Sequence, residues 1–90
     1  MGKAQLYEVL NHVLGDLDGG IASYRAALII DPKHVDCLCN LGIALQASGD
    51  LDGAIIAYRK ALIIDPKDVK CLYNLGIALE ASGDLDGTII

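Results

Sequence analysis

Internal repetition with a period of 34 residues is the feature that most constrains the fold of this chain. Residues 35–56 match residues 69–90 at 18 of 22 positions, and residues 16–33 match residues 50–67 at 14 of 18. Chance does not produce agreement of this extent, so each period encodes the same structural unit. A unit this short cannot bury its apolar face alone and must stack against its neighbours.

Each period predicts two α-helices separated by a turn. Apolar residues spaced three and four apart mark one face of the first helix: Leu38, Leu41 and Leu45. The second helix has the same spacing: Leu51, Ala54, Ile55, Tyr58, Ala61 and Leu62. Gly49 suits the left-handed conformation that often ends a helix. Pro66 ends the second helix, because proline lacks an N–H group and its ring clashes with the preceding turn.

Acidic residues predict where the helices begin. Asp50 or Asp52 can accept hydrogen bonds from the free N–H groups that open the second helix, and Asp68 can do so for the next. The combined patterns predict helices over residues 3–14, 17–30, 35–48, 51–64 and 69–82. Residues 3–14 match residues 37–48 at no position. We therefore expect a diverged first helix, or an N-terminal cap, in the same place.

The motifs of the complete period resemble the tetratricopeptide repeat family, whose signature is W-x₂-L-G-x₂-Y, then A-x₃-F, then P. The chain has Leu38-x₂-Leu41-Gly42-x₂-Leu45, then Ala54-x₃-Tyr58, then Ala61 and Pro66, and next Leu72-x₂-Leu75-Gly76-x₂-Leu79. The resemblance implies an all-α fold, a right-handed α-solenoid of antiparallel helix pairs. One domain is expected, with a diverged first repeat (1–34), a complete repeat (35–68) and a truncated third repeat (69–90). A fragment of a longer array is the simplest account of the truncation.

The resemblance also implies a non-catalytic module that binds a protein or peptide in a concave groove. Candidate groove residues are those that cannot share a helix face with the leucines, and their equivalents in the other first helices: Val9, His12, Cys39, Asn40, Ile43, Gln46, Lys70, Tyr73, Asn74, Ile77 and Glu80. An apolar stripe of Val9, Ile43 and Ile77 is expected to form the floor. The alternative is a partly exposed apolar face without a ligand.

Two asparagines within this set support two interpretations. Asn40 and Asn74 form a ladder that resembles the arrays of O-linked N-acetylglucosamine transferases, in which such asparagines hold peptide backbone. The alternative is a local hydrogen bond between helices. The two-carboxylate clamp of chaperone-binding family members is not expected, because only Asn40 and Lys70 match its five positions.

Self-association is the hypothesis from a different functional class. Isoleucines lie outside the inward face of the second helices, and the third repeat has only the beginning of a second helix to cover its leucines. Candidate self-association residues are Ile29, Ile56, Ile63, Leu72, Leu75, Leu79, Ile89 and Ile90. Such a chain would be a scaffold unit that completes its truncated repeat through another copy. A further alternative is the targeting segment of a larger enzyme.

Charge and composition exclude other classes of function. The formal net charge of −5 argues against nucleic-acid binding, which needs a basic surface. The apolar run at residues 26–30 is far shorter than a membrane span of about 20 residues. An odd number of cysteines favours a reducing compartment, and thus the cytoplasm by default. Cys37 and Cys71 are expected to be buried, and Cys39 to be accessible. No cofactor, metal ion or membrane partner is predicted.

Overall fold

The computed structural model describes the backbone of residues 3–83 and the side chains of residues 16–83. The described backbone forms four α-helices: α1 (Lys3–Ile30), α2 (Val35–Ala47), α3 (Leu51–Ile64) and α4 (Val69–Ser82). These residues contain no strand, which confirms the all-α class. The bounds of α2, α3 and α4 lie within one residue of the prediction.

The predicted turn between the first two helices is wrong, because α1 continues as one helix through Gly15. Helices α2 and α3 do form a hairpin, in which the Tyr58 ring of α3 packs against Gly42 of α2. A Cβ atom added at Gly42 would lie 2.6 Å from Cδ1 of the ring, which is too close for two carbon atoms. The first period has Glu8 at the position of Gly42. A side chain in that position is incompatible with the close approach that holds α2 and α3 together.

The ends of the other helices follow the predicted capping chemistry. Gly49 has φ +94°, the left-handed conformation that lets the chain reverse after α2. Asp50 caps α3, since its Oδ1 accepts from the Gly53 N–H at 2.9 Å, and Asp68 caps α4 through the Cys71 N–H at 3.0 Å. His34 caps α2 with Nδ1, at 3.0 Å from the Cys37 N–H. This role of His34 is not evident from the sequence, because histidine is not among the preferred capping residues.

Helix α2 is the centre of the packing. It contacts α1 on one side and α3 on the other, and α4 packs against α3 and along α2. The core contains most of the apolar residues predicted for the two helices of the complete repeat: Leu38, Leu41, Leu45, Ala54, Tyr58 and Ala61. Ile55 and Leu62 are partly buried against it, and Leu51 is half-buried outside it. Burial of the leucines and of the tyrosine in the core is worth about 1.5–3 kcal/mol for each side chain. The complete repeat is therefore the most securely packed part of the molecule.

Candidate functional site

The seam between α2 and α4 brings the middle of one helix to the start of the other. Lys70 Nζ donates a hydrogen bond of 2.7 Å to Asn40 Oδ1. Ile43 follows Asn40 by three residues on α2, and Tyr73 follows Lys70 by three residues on α4. Side chains spaced in this way share one face of a helix. The two helices thus present their candidate groove residues next to one another.

Apolar side chains on this side of the molecule are open to solvent. Tyr73 is 69% exposed, Ile77 39% and Ile43 37%. We call these three residues together with Asn40 the α2–α4 face. Lys70 and Glu80 are exposed on α4 in the same set of candidates. The arrangement is an apolar centre with polar groups beside it.

The two asparagines are engaged in hydrogen bonds within the protein. Asn40 accepts from Lys70 across the seam, and Asn74 Nδ2 donates to the Lys70 backbone oxygen at 2.8 Å. Asn40 therefore makes a hydrogen bond between helices, as in the alternative to the asparagine ladder, whereas the bond of Asn74 lies within α4. A peptide backbone would have to compete with these contacts for the same amide groups.

The expectation that Cys39 is accessible is wrong, because this side chain is 1% exposed. Cys39, Cys71 and Tyr58 are the largest fully buried side chains, and they meet where α2, α3 and α4 come together. Burial, reinforced by contact with Cys39, raises the pKa of the Cys71 thiol strongly. Burial, with smaller effects of the two cysteines, raises the pKa of Tyr58 to about 12. The buried Cys71 thiol packs as a small apolar group and is inert at neutral pH.

Other candidate groove residues lie elsewhere or outside the described side chains. Gln46 is half-buried, and its Oε1 accepts a hydrogen bond of 2.9 Å from the Tyr58 hydroxyl. Gln46 therefore helps to hold α3 on α2 rather than standing free. Val9 and His12 lie among the residues whose side chains the structure does not describe.

A cavity of about 520 Å³ lies between α1 and α3 and is also lined by α2. We call it the outer cavity, because its lining includes two isoleucines that were predicted on the outer side of their helices, Ile29 and Ile56. Leu38, Leu41 and Leu45 line it from α2, and Ile29 and Ile56 line it from the flanking helices. Arg25 and Lys60 add cationic groups to the lining. Ile63, the third isoleucine predicted on this outer side, is 80% exposed and does not line the cavity.

The third repeat exposes the leucines predicted for self-association. Leu72 is 49% exposed, and Leu75 and Leu79 are half-buried. Gly76, on the same side of α4, has open space where a Cβ would stand. We call these four residues the α4 leucine face. Ile89 and Ile90 lie outside the described residues.

Neither a metal site nor a membrane span is found in the part of the chain that the structure describes. Groups of three or more potential metal-ligating side chains do not occur there. None of the described helices is long and apolar enough to cross a bilayer. The candidate functional surfaces are the exposed apolar areas on α2 and α4 and the outer cavity.

Comparison with protein families agrees with the helical-repeat fold. A family model described as TPR repeat matches residues 44–83, and one described as tetratricopeptide repeat matches residues 23–56. The matches together run from the second half of α1 through α4. The chain belongs to the tetratricopeptide repeat family. Tetratricopeptide repeats generally mediate protein–protein interactions and are generally non-catalytic. A search of the curated proteins found no match.

Proposed function

We propose that this tetratricopeptide repeat chain is a non-catalytic interaction module that binds a peptide or helix of another protein on its α2–α4 face. The observation that carries the proposal is the exposure of Ile43, Tyr73 and Ile77 beside one seam, which Lys70 and Asn40 bridge. Exposed apolar side chains that cluster at one place are typical of interaction sites.

The chemistry of the face fits a partner with apolar anchor residues. Tyrosine is among the residues that contribute most to binding at protein interfaces, because it buries a large area with little loss of side-chain freedom. Ile43 and Ile77 would contribute about 25 cal/mol for each Å² of apolar surface that a partner removes from water. Lys70 and Glu80 supply a polar rim, which sets orientation more than affinity.

Peptide selection tests this function. A peptide library is selected on the wild-type chain, and the affinity of the selected peptides is measured for Ile77→Glu and for Ile63→Glu. Ile63→Glu is the matched control, because Ile63 is 80% exposed on α3 and does not belong to the α2–α4 face. We expect Ile77→Glu to weaken binding about tenfold or more, and Ile63→Glu to leave it unchanged. Circular dichroism checks that both variants keep their helices.

Two results would contradict this function. Selection could yield no peptide whose binding saturates at micromolar concentrations. Selected peptides could also bind both isoleucine variants with the wild-type affinity, which would place the binding surface elsewhere on the chain.

Self-association is the second candidate function, and the exposure of Leu72 on the α4 leucine face favours it. Covering this face with another copy would bury apolar surface that solvent now contacts. Light scattering across a concentration series tests the idea. We expect a mass that rises above 9.5 kDa with concentration. At about 1 mM, even weak association with a Kd in the millimolar range is detectable. A constant mass of 9.5 kDa up to that concentration would exclude self-association.

A further inference from the structure

We propose that copies of this chain associate head to tail, with α4 of one copy pairing with residues 17–30 of α1 in the next, as α2 pairs with α3 inside the chain. The inference rests on the self-association proposed above and specifies its two surfaces. The proposal is based on the pairing of α2 with α3 and on two surfaces, one on α4 and one on α1, that have no such partner among the described residues.

The first open surface is the α4 leucine face, and α2 shows what covers such a face. Leu38 on α2 is 5% exposed, whereas its equivalent Leu72 is 49% exposed. Gly42 on α2 lies against the Tyr58 ring, whereas its equivalent Gly76 has nothing within 4 Å. Helix α4 already has α3 before it in the stack, as α2 has α1. What α4 lacks, among the described residues, is the helix that α3 provides for α2.

The second open surface lies on α1, whose residues 17–30 repeat α3. Ala54, Tyr58 and Ala61 form the side of α3 that packs on α2, and all three are 0% exposed. Their equivalents on α1 are Gly20, Tyr24 and Ala27, which we call the α1 tyrosine face. Gly20 and Tyr24 are half-buried, with Tyr24 packed against the edge of the core, and Ala27 is exposed.

The α1 tyrosine face is open because its own hairpin does not form. Helix α1 runs on through Gly15, so residues 3–14 do not turn back as α2 does beside α3. Tyr58 uses one side of its ring to contact Gly42 of α2. The equivalent side of the Tyr24 ring is therefore available to another helix.

The two open surfaces complement each other in shape and in polar groups. Because Gly42 has no side chain, the Tyr58 ring fits against α2. Gly76 leaves the same space open on α4 for the ring of another tyrosine. Tyr58 donates its hydroxyl hydrogen to Gln46 Oε1, and Glu80 stands at the position of Gln46 on α4. The Glu80 carboxylate can accept the same hydrogen bond from Tyr24 of the next copy.

This pairing is heterologous, since each chain contributes its α4 leucine face at one end and its α1 tyrosine face at the other. Such contacts produce open chains or closed rings of copies rather than a symmetric dimer. A second copy can occupy the α4 leucine face, because residues 17–30 of its α1 carry a sequence close to that of α3.

Two variants each block one surface and are compared by light scattering over the same concentration series. Gly76→Ala fills the space for the tyrosine ring, and Gly19→Ala is its control, because position 19 is an open helical position away from both surfaces. Ala27→Lys places a charge on the α1 tyrosine face. Ala26→Lys is its control, since the equivalent residue in α3 is the exposed Lys60.

Each blocking variant is expected to weaken association about tenfold or more, while both controls associate as the wild type does. The decisive sample is an equimolar mixture of Gly76→Ala and Ala27→Lys. Each mixed pair retains one intact α4 leucine face and one intact α1 tyrosine face. The mixture is therefore expected to form a dimer of twice 9.5 kDa and to grow no further.

The outcomes separate this inference from the self-association on which it rests. A wild-type chain that stays monomeric overturns both. A wild-type chain that associates while both blocking variants associate equally well overturns the pairing of α4 with α1 and leaves self-association through another surface. Variants that are folded and monomeric alone, and remain monomeric when mixed, exclude the head-to-tail arrangement.

Discussion

Helices α2 and α4 have nearly the same sequence and very different surroundings. They agree at 11 of 14 positions over residues 35–48 and 69–82. Leu38 is 5% exposed on α2, and its equivalent Leu72 is 49% exposed on α4. The difference shows that the repeat pattern determines which side of a helix is apolar, whereas the neighbouring helices determine whether that side is buried.

One neighbour accounts for most of this difference. Both helices have a preceding helix against them, α1 for α2 and α3 for α4. Only α2 has, among the described residues, a following helix whose tyrosine lies on its glycine. The comparison therefore isolates what a following helix adds to a repeat, and substitutions at equivalent positions can measure it.

The largest contrast is expected from truncating equivalent leucines. Leu38→Ala should destabilise the chain by about 2–5 kcal/mol, because it leaves a cavity in the core. Leu72→Ala should cost less than about 1 kcal/mol, because solvent already reaches half of this side chain. Urea denaturation monitored by circular dichroism measures both. Equal losses of stability would mean that the α4 leucine face is as well covered as that of α2.

Alkaline pH should act on the complete repeat through Tyr58. The folded-state pKa is raised from 10.0 to about 12 by burial, so folding favours the neutral phenol. The stabilisation is complete below pH 10 and is lost as the pH rises towards 12, a decrease of about 2–3 kcal/mol in the free energy of unfolding. The raised pKa of the Cys71 thiol acts in the same direction.

Unfolding free energies at a series of pH values from 7 to about 11 check this prediction, with Tyr58→Phe as the control. The phenylalanine variant should lose the part of the pH dependence that belongs to the phenol. A wild-type chain whose stability decreases no more steeply than that of Tyr58→Phe would argue that Tyr58 is accessible to solvent.

Equivalent glycines should respond to alanine with opposite signs. Gly42→Ala should destabilise by about 1–3 kcal/mol, because its Cβ would overlap the Tyr58 ring and displace α3. Gly76→Ala should stabilise the monomer by up to about 1 kcal/mol, since alanine is the better helix former and the space is open. Melting temperatures at low protein concentration give both signs. The same sign in both variants would contradict the described difference in surroundings.

The smallest effects are expected at the helix starts. Asp50→Ala and Asp68→Ala should each cost about 1 kcal/mol, because each removes an acceptor for a backbone N–H group. Asp52→Ala should cost only a few tenths of a kcal/mol, since Asp52 lies in the first turn of α3 and contributes only through the helix dipole. Chemical denaturation resolves the two classes, and similar losses for Asp50→Ala and Asp52→Ala would contradict the capping assignment.

Much of the fold could be predicted because the relevant signals are local. Helix periodicity places Leu38 and Tyr58 inward, and Gly49 and Asp68 mark the ends of helices through their own backbone chemistry. The error in the helix boundaries, a predicted turn at Gly15, arose where the repeated residues Gly15 and Asp16 were taken to imply the repeated hairpin. The close packing of α3 on α2 needs the glycine at position 42, whereas the first period has Glu8 at the equivalent position.

The candidate site was only partly predictable, because exposure depends on contacts between distant residues. Ile43, Tyr73 and Ile77 were assigned to an open face and are exposed. Cys39 was placed with them by helix geometry alone, yet Cys71 of α4 and Tyr58 of α3 cover it. Its equivalent in the next repeat, Tyr73, stays exposed at 69%.

Residue spacing and local backbone preferences are enough to predict the all-α repeat architecture, the bounds of α2, α3 and α4, the apolar side of each, and Asp50 and Asp68 as candidate caps. Packing between helices shows what these local signals leave open: α1 is one helix, and Asn40 and Gln46 are engaged within the protein. These features depend on which helices approach closely enough to exclude water or to share a hydrogen bond. A repeating sequence does not predict them, because each repeat has the same residues whether or not a neighbouring helix packs against it.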